Sequence, residues 1–173
     1  SRFDPDSELM QATSRVGVAV PVSTILYSAV EFALTVAEQS GGAFDPTVGH
    51  AMEQRGFNRE HRTGRRVTTP IGRDPGVSFR DVCLDRERQT LMVLRPLILD
   101  LGAVAKGLAI DMAALELRPL DNFAIDAGGD LYLAGCRPDG RRWSVAIRAP
   151  RTRHTSDAGE LESLVQADLL RRH

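Results

Sequence analysis

Lysine is nearly missing from this chain of 173 residues: Lys106 stands alone, and arginine supplies the other basic side chains. Cysteine is scarce too. Cys83 and Cys136 lie far apart and form no C-x-x-C, which excludes a disulfide scaffold and a zinc ribbon. Both are expected as buried free thiols. Aromatic residues make up 5% and the net charge is −1, so neither base stacking nor bulk electrostatics supports a nucleic-acid binder. The apolar run over residues 16–37 is broken by Pro21 and Glu31. A mid-span acid costs about 2.5–3.5 kcal/mol on membrane insertion, so the run is expected to be a strand or loop followed by a buried helix. G-x-G-x-x-G and G-x-x-x-x-G-K-[ST] are both missing, which removes the common dinucleotide and P-loop signatures. The opening Ser1-Arg2 follows no basic or apolar leader, so a processed, trimmed or partial chain is expected.

What is present is ordinary globular material, 42% hydrophobic and long enough for one substantial core. Ser7 can cap a short helix from Glu8, and Ser23 a long one over 23–40, with Leu26, Val30, Ala33, Leu34 and Ala37 at helical spacing. Gly41-Gly42 ends it, and a short helix carrying Val48 and Met52 follows Pro46. Residues 56–76 form a polar surface excursion. Residues 79–85 and 89–95 are expected to pair as strands, with a short strand over 97–100. A helix over 104–117 shows Leu108, Met112 and Leu115 on one face. Strands follow over 122–127, 131–134 and 143–148, with Gly128-Gly129 in a tight turn, then a last amphipathic helix over 157–172. Helices packed on mostly antiparallel strands make an α+β fold.

Three segments could carry chemistry. The first is S-G-G-A-F-D-P-T-V-G, residues 40–49, whose glycines permit close approach to a ligand and whose Asp45 precedes Pro46. The second is D-L-G-A-V-A-K-G, residues 100–107: an acid at a strand end, a glycine turn, and a helix start that holds the one lysine. A helix N-terminus offers free N–H groups to an anion, and a lysine there is disfavoured by the dipole unless a phosphate lies between. The third is D-A-G-G-D, residues 126–130. Plainer duties suit the same residues: Asp45 as a helix cap, Lys106 as a solvated side chain, the Asp126–Asp130 segment as a simple hairpin. Trp143 is expected as a core or rim anchor, and His50, His61, His154 and His173 show no paired ligand spacing.

Taken in order with S-R-F-D-P-D-S-E-L (residues 1–9), D-L-G-A-V-A-K-G-L-A-I-D (100–111) and R-W-S-V-A-I-R-A-P (142–150), these segments resemble the ApbE family of FAD:protein FMN transferases. The resemblance covers about residues 1–150, a partial transferase core, and leaves 151–173 as a divergent helical tail. It implies an α+β fold, mostly antiparallel sheet with packed helices and incomplete within these residues. It implies a transferase that moves FMN from FAD to a Thr or Ser of a target flavoprotein, releases AMP and requires magnesium. Phe3, Ala43, Phe44, Asp45, Asp100 and Lys106 are thereby placed at the FAD site, and the Ala103 carbonyl on the metal. It also implies an acceptor flavoprotein such as a subunit of a membrane redox complex, and the cell envelope as location. The departures are Ala12-Thr13, where the family has Leu-Asn, and the lack of recognisable A-T-S-G, H-I-I-D-P and A-D-x-x-x-T segments after Pro150. Those departures leave a non-catalytic flavin or nucleotide binder, or a truncated inactive member, as the alternative.

Overall fold

A computed structural model of the chain describes residues 2–60, 63–69, 71, 74, 76–146 and 164–165. The chain divides into two compact units, Ser1–Ala109 and Ile110–His173. Among the described residues no helix is long and apolar enough to cross a membrane.

The first unit is built around a three-stranded antiparallel sheet. Strand β1 (Val20–Pro21), β2 (Val82–Asp85) and β3 (Thr90–Val93) lie in the order β1-β3-β2, with Leu91 opposite both Val20 and Leu84. Helix α1 (Glu8–Thr13) starts at Ser7, whose hydroxyl accepts the Met10 amide at 3.4 Å. Helix α2 (Thr24–Gln39) starts at Ser23, whose hydroxyl accepts the Leu26 amide at 3.2 Å and itself donates to Glu8 at 2.7 Å. The two helix starts are thus fastened to each other. Gly41 and Gly42, with φ of +61° and +87°, end α2, and the Gly42 amide returns to the Ala37 carbonyl at 2.8 Å.

Leu26, Tyr27 and Val30 of α2 meet Leu9, Leu91, Val93, Leu97 and Leu99 in the core. Each fully buried aliphatic side chain there contributes about 1.5–3 kcal/mol of transfer free energy. The chain then turns into α3 (Gly49–Gln54). Thr69 donates its hydroxyl to Glu53 of α3 at 2.7 Å, fastening the polar excursion back onto that helix.

Two expectations change, one at residues 79–85 and one at residues 97–100. Phe79–Asp81 is a 3₁₀ turn, not strand, because Ser78 and Asp81 form a reciprocal capping box; the strand begins at Val82. Residues 97–100 are not a continuous strand either. Ile98 makes one parallel bridge to Val48, for reasons given below.

Helix α4 (Gly102–Glu116) begins in the first unit and ends in the second. Its buried positions are Val104, Ile110 and Ala114, whereas Met112 and Leu115 are 40% and 54% exposed. Of the expected face, Leu108 is half-buried while Met112 and Leu115 point outward. In the second unit β4 (Phe123–Asp126) and β5 (Leu131–Ala134) pair antiparallel, and Phe123 stacks on Tyr132 with ring centroids 5.8 Å apart. The Gly128-Gly129 turn has φ of +71° and +101°, closed by the Gly129 amide donating to Asp126 at 3.0 Å. Trp143 is half-buried and donates from Nε1 to the Ala134 carbonyl at 3.0 Å. Strands β6 (Val145–Ala146) and β7 (Leu164–Val165) form a second antiparallel pair. Leu164–Val165, expected inside a last helix over 157–172, is strand instead because it pairs with β6, and the rest of that expected helix lies outside the described residues. Both cysteines are free and half-buried, more open than expected.

Candidate functional site

Two glycine-containing segments, far apart in sequence, are laced together backbone to backbone. The Asp100 amide donates to the Pro46 carbonyl at 2.8 Å, and the Gly49 amide donates to the Ile98 carbonyl at 3.2 Å. These bonds flank the Val48–Ile98 bridge. The approach is possible because residue 49 has no side chain: a β-carbon there would lie 2.5 Å from Ile98 Cγ2. The lacing brings the Asp45 loop beside the start of α4.

Each carboxylate at this junction has local work. Asp45 Oδ1 accepts the Thr47 amide at 2.8 Å and the Thr47 hydroxyl at 2.7 Å, and Oδ2 accepts the Phe79 amide at 3.1 Å. Asp45 therefore ties its loop to the 3₁₀ turn. It does not cap α3, whose N-cap is Val48 and has no side-chain cap. Asp100 Oδ1 accepts the Gly102 amide at 2.8 Å, placing a negative charge at the N-terminus of α4, where the dipole favours it. Asp100 Oδ2 accepts from Arg2 Nε at 2.7 Å, with the two side chains 17% and 4% exposed. Arg2 Nη2 donates to the Phe57 carbonyl at 2.6 Å, and the guanidinium carbon sits 4.2 Å from the centroid of the Phe3 ring.

Around these groups opens a cleft of about 500 Å³, a size usual for small-molecule sites. Phe3, Ala43, Phe44, Asp45, Asp100 and Ala103 all line it. Lys106 is not among the lining residues. It is exposed and stands one helical turn beyond Gly102, which does line the cleft, so the two share a face of α4. Asp126 and Asp130 belong to the hairpin of the second unit, where Asp126 closes the turn. Arg2, Met52 and Phe57 also line the cleft, and no motif marks them as site residues. Arg2 was visible only as the charged residue before Phe3, and a charge in a turn ordinarily signals solvent.

The raised proton affinity of Arg86, held by its hydrogen bond to Glu31, concerns a surface pair outside the cleft lining. Among the described residues no group of three or more His, Cys, Asp or Glu side chains is arranged to hold a metal ion. Magnesium prefers near-octahedral oxygen coordination. Ala103 offers one carbonyl, in a helix where such carbonyls already face the amide four residues on. These residues do not make a resident magnesium site on their own.

An α+β unit with an apolar cleft at a helix start is the class defined so far. Compared with known proteins, residues 1–169 match the model of the ApbE family, and the chain belongs to that family. It is 31% identical over 165 residues to the FAD:protein FMN transferase of Haemophilus influenzae, covering 88% of this chain and 46% of that protein. It is 32% identical over 170 residues to the enzyme of the same name from Treponema pallidum, covering 84% and 45%. Among solved structures, the flavin transferase ApbE from Vibrio cholerae, as a mutant, superposes with a TM-score of 0.72 at 26% identity, covering 87% of this chain and 53% of that one. The ApbE protein of Thermotoga maritima gives 0.66 at 28% identity, covering 90% and 53%. The chain thus spans about half the length of the relatives it matches.

Proposed function

We propose that the cleft is the FAD site of an FAD:protein FMN transferase. The observation that carries this is the lacing of residues 46–49 to residues 98–100, which sets Phe3, Phe44, Asp45 and Asp100 around one cavity at the start of α4. In this reading the flavin ring lies among Phe3, Ala43 and Phe44. The pyrophosphate lies toward the α4 N-terminus, whose positive dipole end suits an anion, although Asp100 already takes the Gly102 amide there. Lys106, one turn along, adds a point charge to it.

The acceptor is a Thr or Ser hydroxyl of a second flavoprotein. Its oxygen attacks the phosphorus on the riboflavin side of FAD, the bridging P–O bond breaks, AMP departs with the bonding electrons and the hydroxyl proton passes to solvent. Phosphoryl transfer of this kind rests on positioning and charge neutralisation, so no enzyme nucleophile is required. Magnesium belongs to the proposal as an ion that arrives with the pyrophosphate, with the Ala103 carbonyl as a protein oxygen that would help to hold it. When bound, it would neutralise phosphate charge. A membrane redox subunit as acceptor and the cell envelope as location are likewise part of the proposal.

A second reading, a flavin binder without transfer activity, is favoured by the missing metal-capable cluster among the described residues. The experiment titrates FAD into the purified chain with and without magnesium. It then adds an acceptor peptide bearing one Thr and follows flavin fluorescence in the gel and the mass of one added FMN. FAD binding with labelling, by this chain or by one extended to the relatives' length, supports the transferase. Binding without labelling by either favours the second reading, and equal, negligible response to FAD, FMN and NAD removes both.

A further inference from the structure

Arg2 is the most deeply buried charged residue of the cleft, at 5% exposure, and its hydrogen bonding is lopsided. Nε donates to Asp100 and Nη2 to the Phe57 carbonyl. Nη1 is buried and has no hydrogen-bond partner among the described residues. A guanidinium has five N–H groups, and buried polar groups without an acceptor are uncommon in folded proteins. The asymmetry lies at a ligand-sized cavity, with the open donor on a side chain that lines it.

We propose that Arg2 is a binding residue for the flavin ring, its Nη1 N–H groups donating to a ring carbonyl oxygen, so that the flavin end of FAD and not the adenine end occupies the cleft. The proposal rests on the FAD-site reading above and goes beyond it by assigning the residue that selects the ring. The chemistry favours a neutral carbonyl over a phosphate. Asp100 already neutralises the guanidinium at 2.7 Å, so little net positive charge is left for an anion. Phe3, Phe44, Val48, Met52 and Phe57 make much of the lining, and its second cation, Arg59, is exposed to water rather than buried beside Arg2. An anion moved in among them would lose hydration without full compensation. A flat ring with polar edges loses far less and gains stacking area. The isoalloxazine ring carries two carbonyl oxygens on its pyrimidine edge, whereas adenine carries none. Phe3, half-buried with its ring over the guanidinium, offers the flavin ring an aromatic neighbour beside Arg2.

The experiment compares riboflavin, its 2-thio and 4-thio analogues and AMP, binding to the unsubstituted chain and to Arg2→Met. Sulfur in place of the contacted oxygen accepts a hydrogen bond poorly, so one analogue should bind about 10- to 100-fold more weakly than riboflavin. AMP should not displace riboflavin, and Arg2→Met should bind riboflavin and that analogue alike. Equal affinity of the unsubstituted chain for riboflavin and both analogues overturns the proposal. So does displacement of riboflavin by AMP, or discrimination that persists in a folded Arg2→Met. Should Arg2→Met fail to fold, the analogue series on the unsubstituted chain still decides. Absence of any flavin binding removes the FAD-site reading together with this one, whereas flavin binding without analogue discrimination removes this one alone.

Discussion

Gly49 and Ile98 approach so closely that a β-carbon on residue 49 would lie 2.6 Å from the Ile98 carbonyl oxygen as well as against its side chain. No rotamer relieves a clash with backbone. Gly49→Ala should therefore cost about 1–3 kcal/mol by overpacking, and should weaken FAD binding by parting the two laced segments. The control is Gly107→Ala. Nothing lies within 4 Å of a β-carbon there, and the site is inside α4, so the change should stabilise by about 0.5–1 kcal/mol. Urea unfolding followed by circular dichroism measures both.

Asp100→Ala should be among the most damaging substitutions in the first unit. It leaves the Arg2 guanidinium buried without its counter-charge, and breaking such a pair from one side costs about 3–5 kcal/mol. Adding Arg2→Met should recover part of that loss, since the stranded charge is then gone. A double-mutant cycle in urea tests this; additive losses would show that the pair is not coupled.

Asp45→Ala separates two roles of one residue. The Phe79 amide loses its acceptor, and an orphaned buried donor costs about 1–3 kcal/mol. If the loop also shapes the cleft, FAD affinity should fall in the same variant under conditions where it remains folded. Thermal melts paired with FAD titration at low temperature separate the two effects.

Lys106→Ala should behave in the opposite sense. The side chain is exposed, so stability should change by no more than about 0.5 kcal/mol. A charge-assisted contact to the pyrophosphate is worth about 1.5–3 kcal/mol, so FAD affinity should drop while riboflavin affinity stays constant. A lowered melting temperature with unchanged FAD binding would make Lys106 structural.

The helix starts were legible because Ser7 and Ser23 are good capping residues placed before apolar periodicity, and the end of α2 because two glycines follow it. The hairpin at Gly128-Gly129 was legible for the same reason of local chemistry. The 3₁₀ turn at Phe79 was masked by its own apolar residues, although Ser78 and Asp81 carried the capping signal. The buried face of α4 was beyond reach because Val104, Leu108, Ile110, Met112 and Leu115 spread around the helix, and periodicity cannot choose among them. Asp45 illustrates a deeper limit. A carboxylate before a proline suits a cap, a turn or a ligand contact equally, and only the position of the Phe79 amide decides what it holds. Arg2 was illegible because its partners, Asp100 and the Phe57 carbonyl, lie 98 and 55 residues away.

The β4–β5 hairpin has a consequence for the rhythm of local opening. Among the described residues it consists of two strands, with Leu131 and Tyr132 42% and 38% exposed, and a two-stranded hairpin in water is marginal unless packed on something. The β2–β3 ladder instead carries Leu91 and Val93, both at 0% exposure. Deuterium should therefore enter the amides of residues 123–126 and 131–134 through brief local fraying, orders of magnitude sooner than those of residues 90–93, which should wait for the whole first unit to unfold. Native-state hydrogen exchange by mass spectrometry would resolve two clocks in one chain, and uniform protection across both hairpins would show that the second is held as firmly as the first.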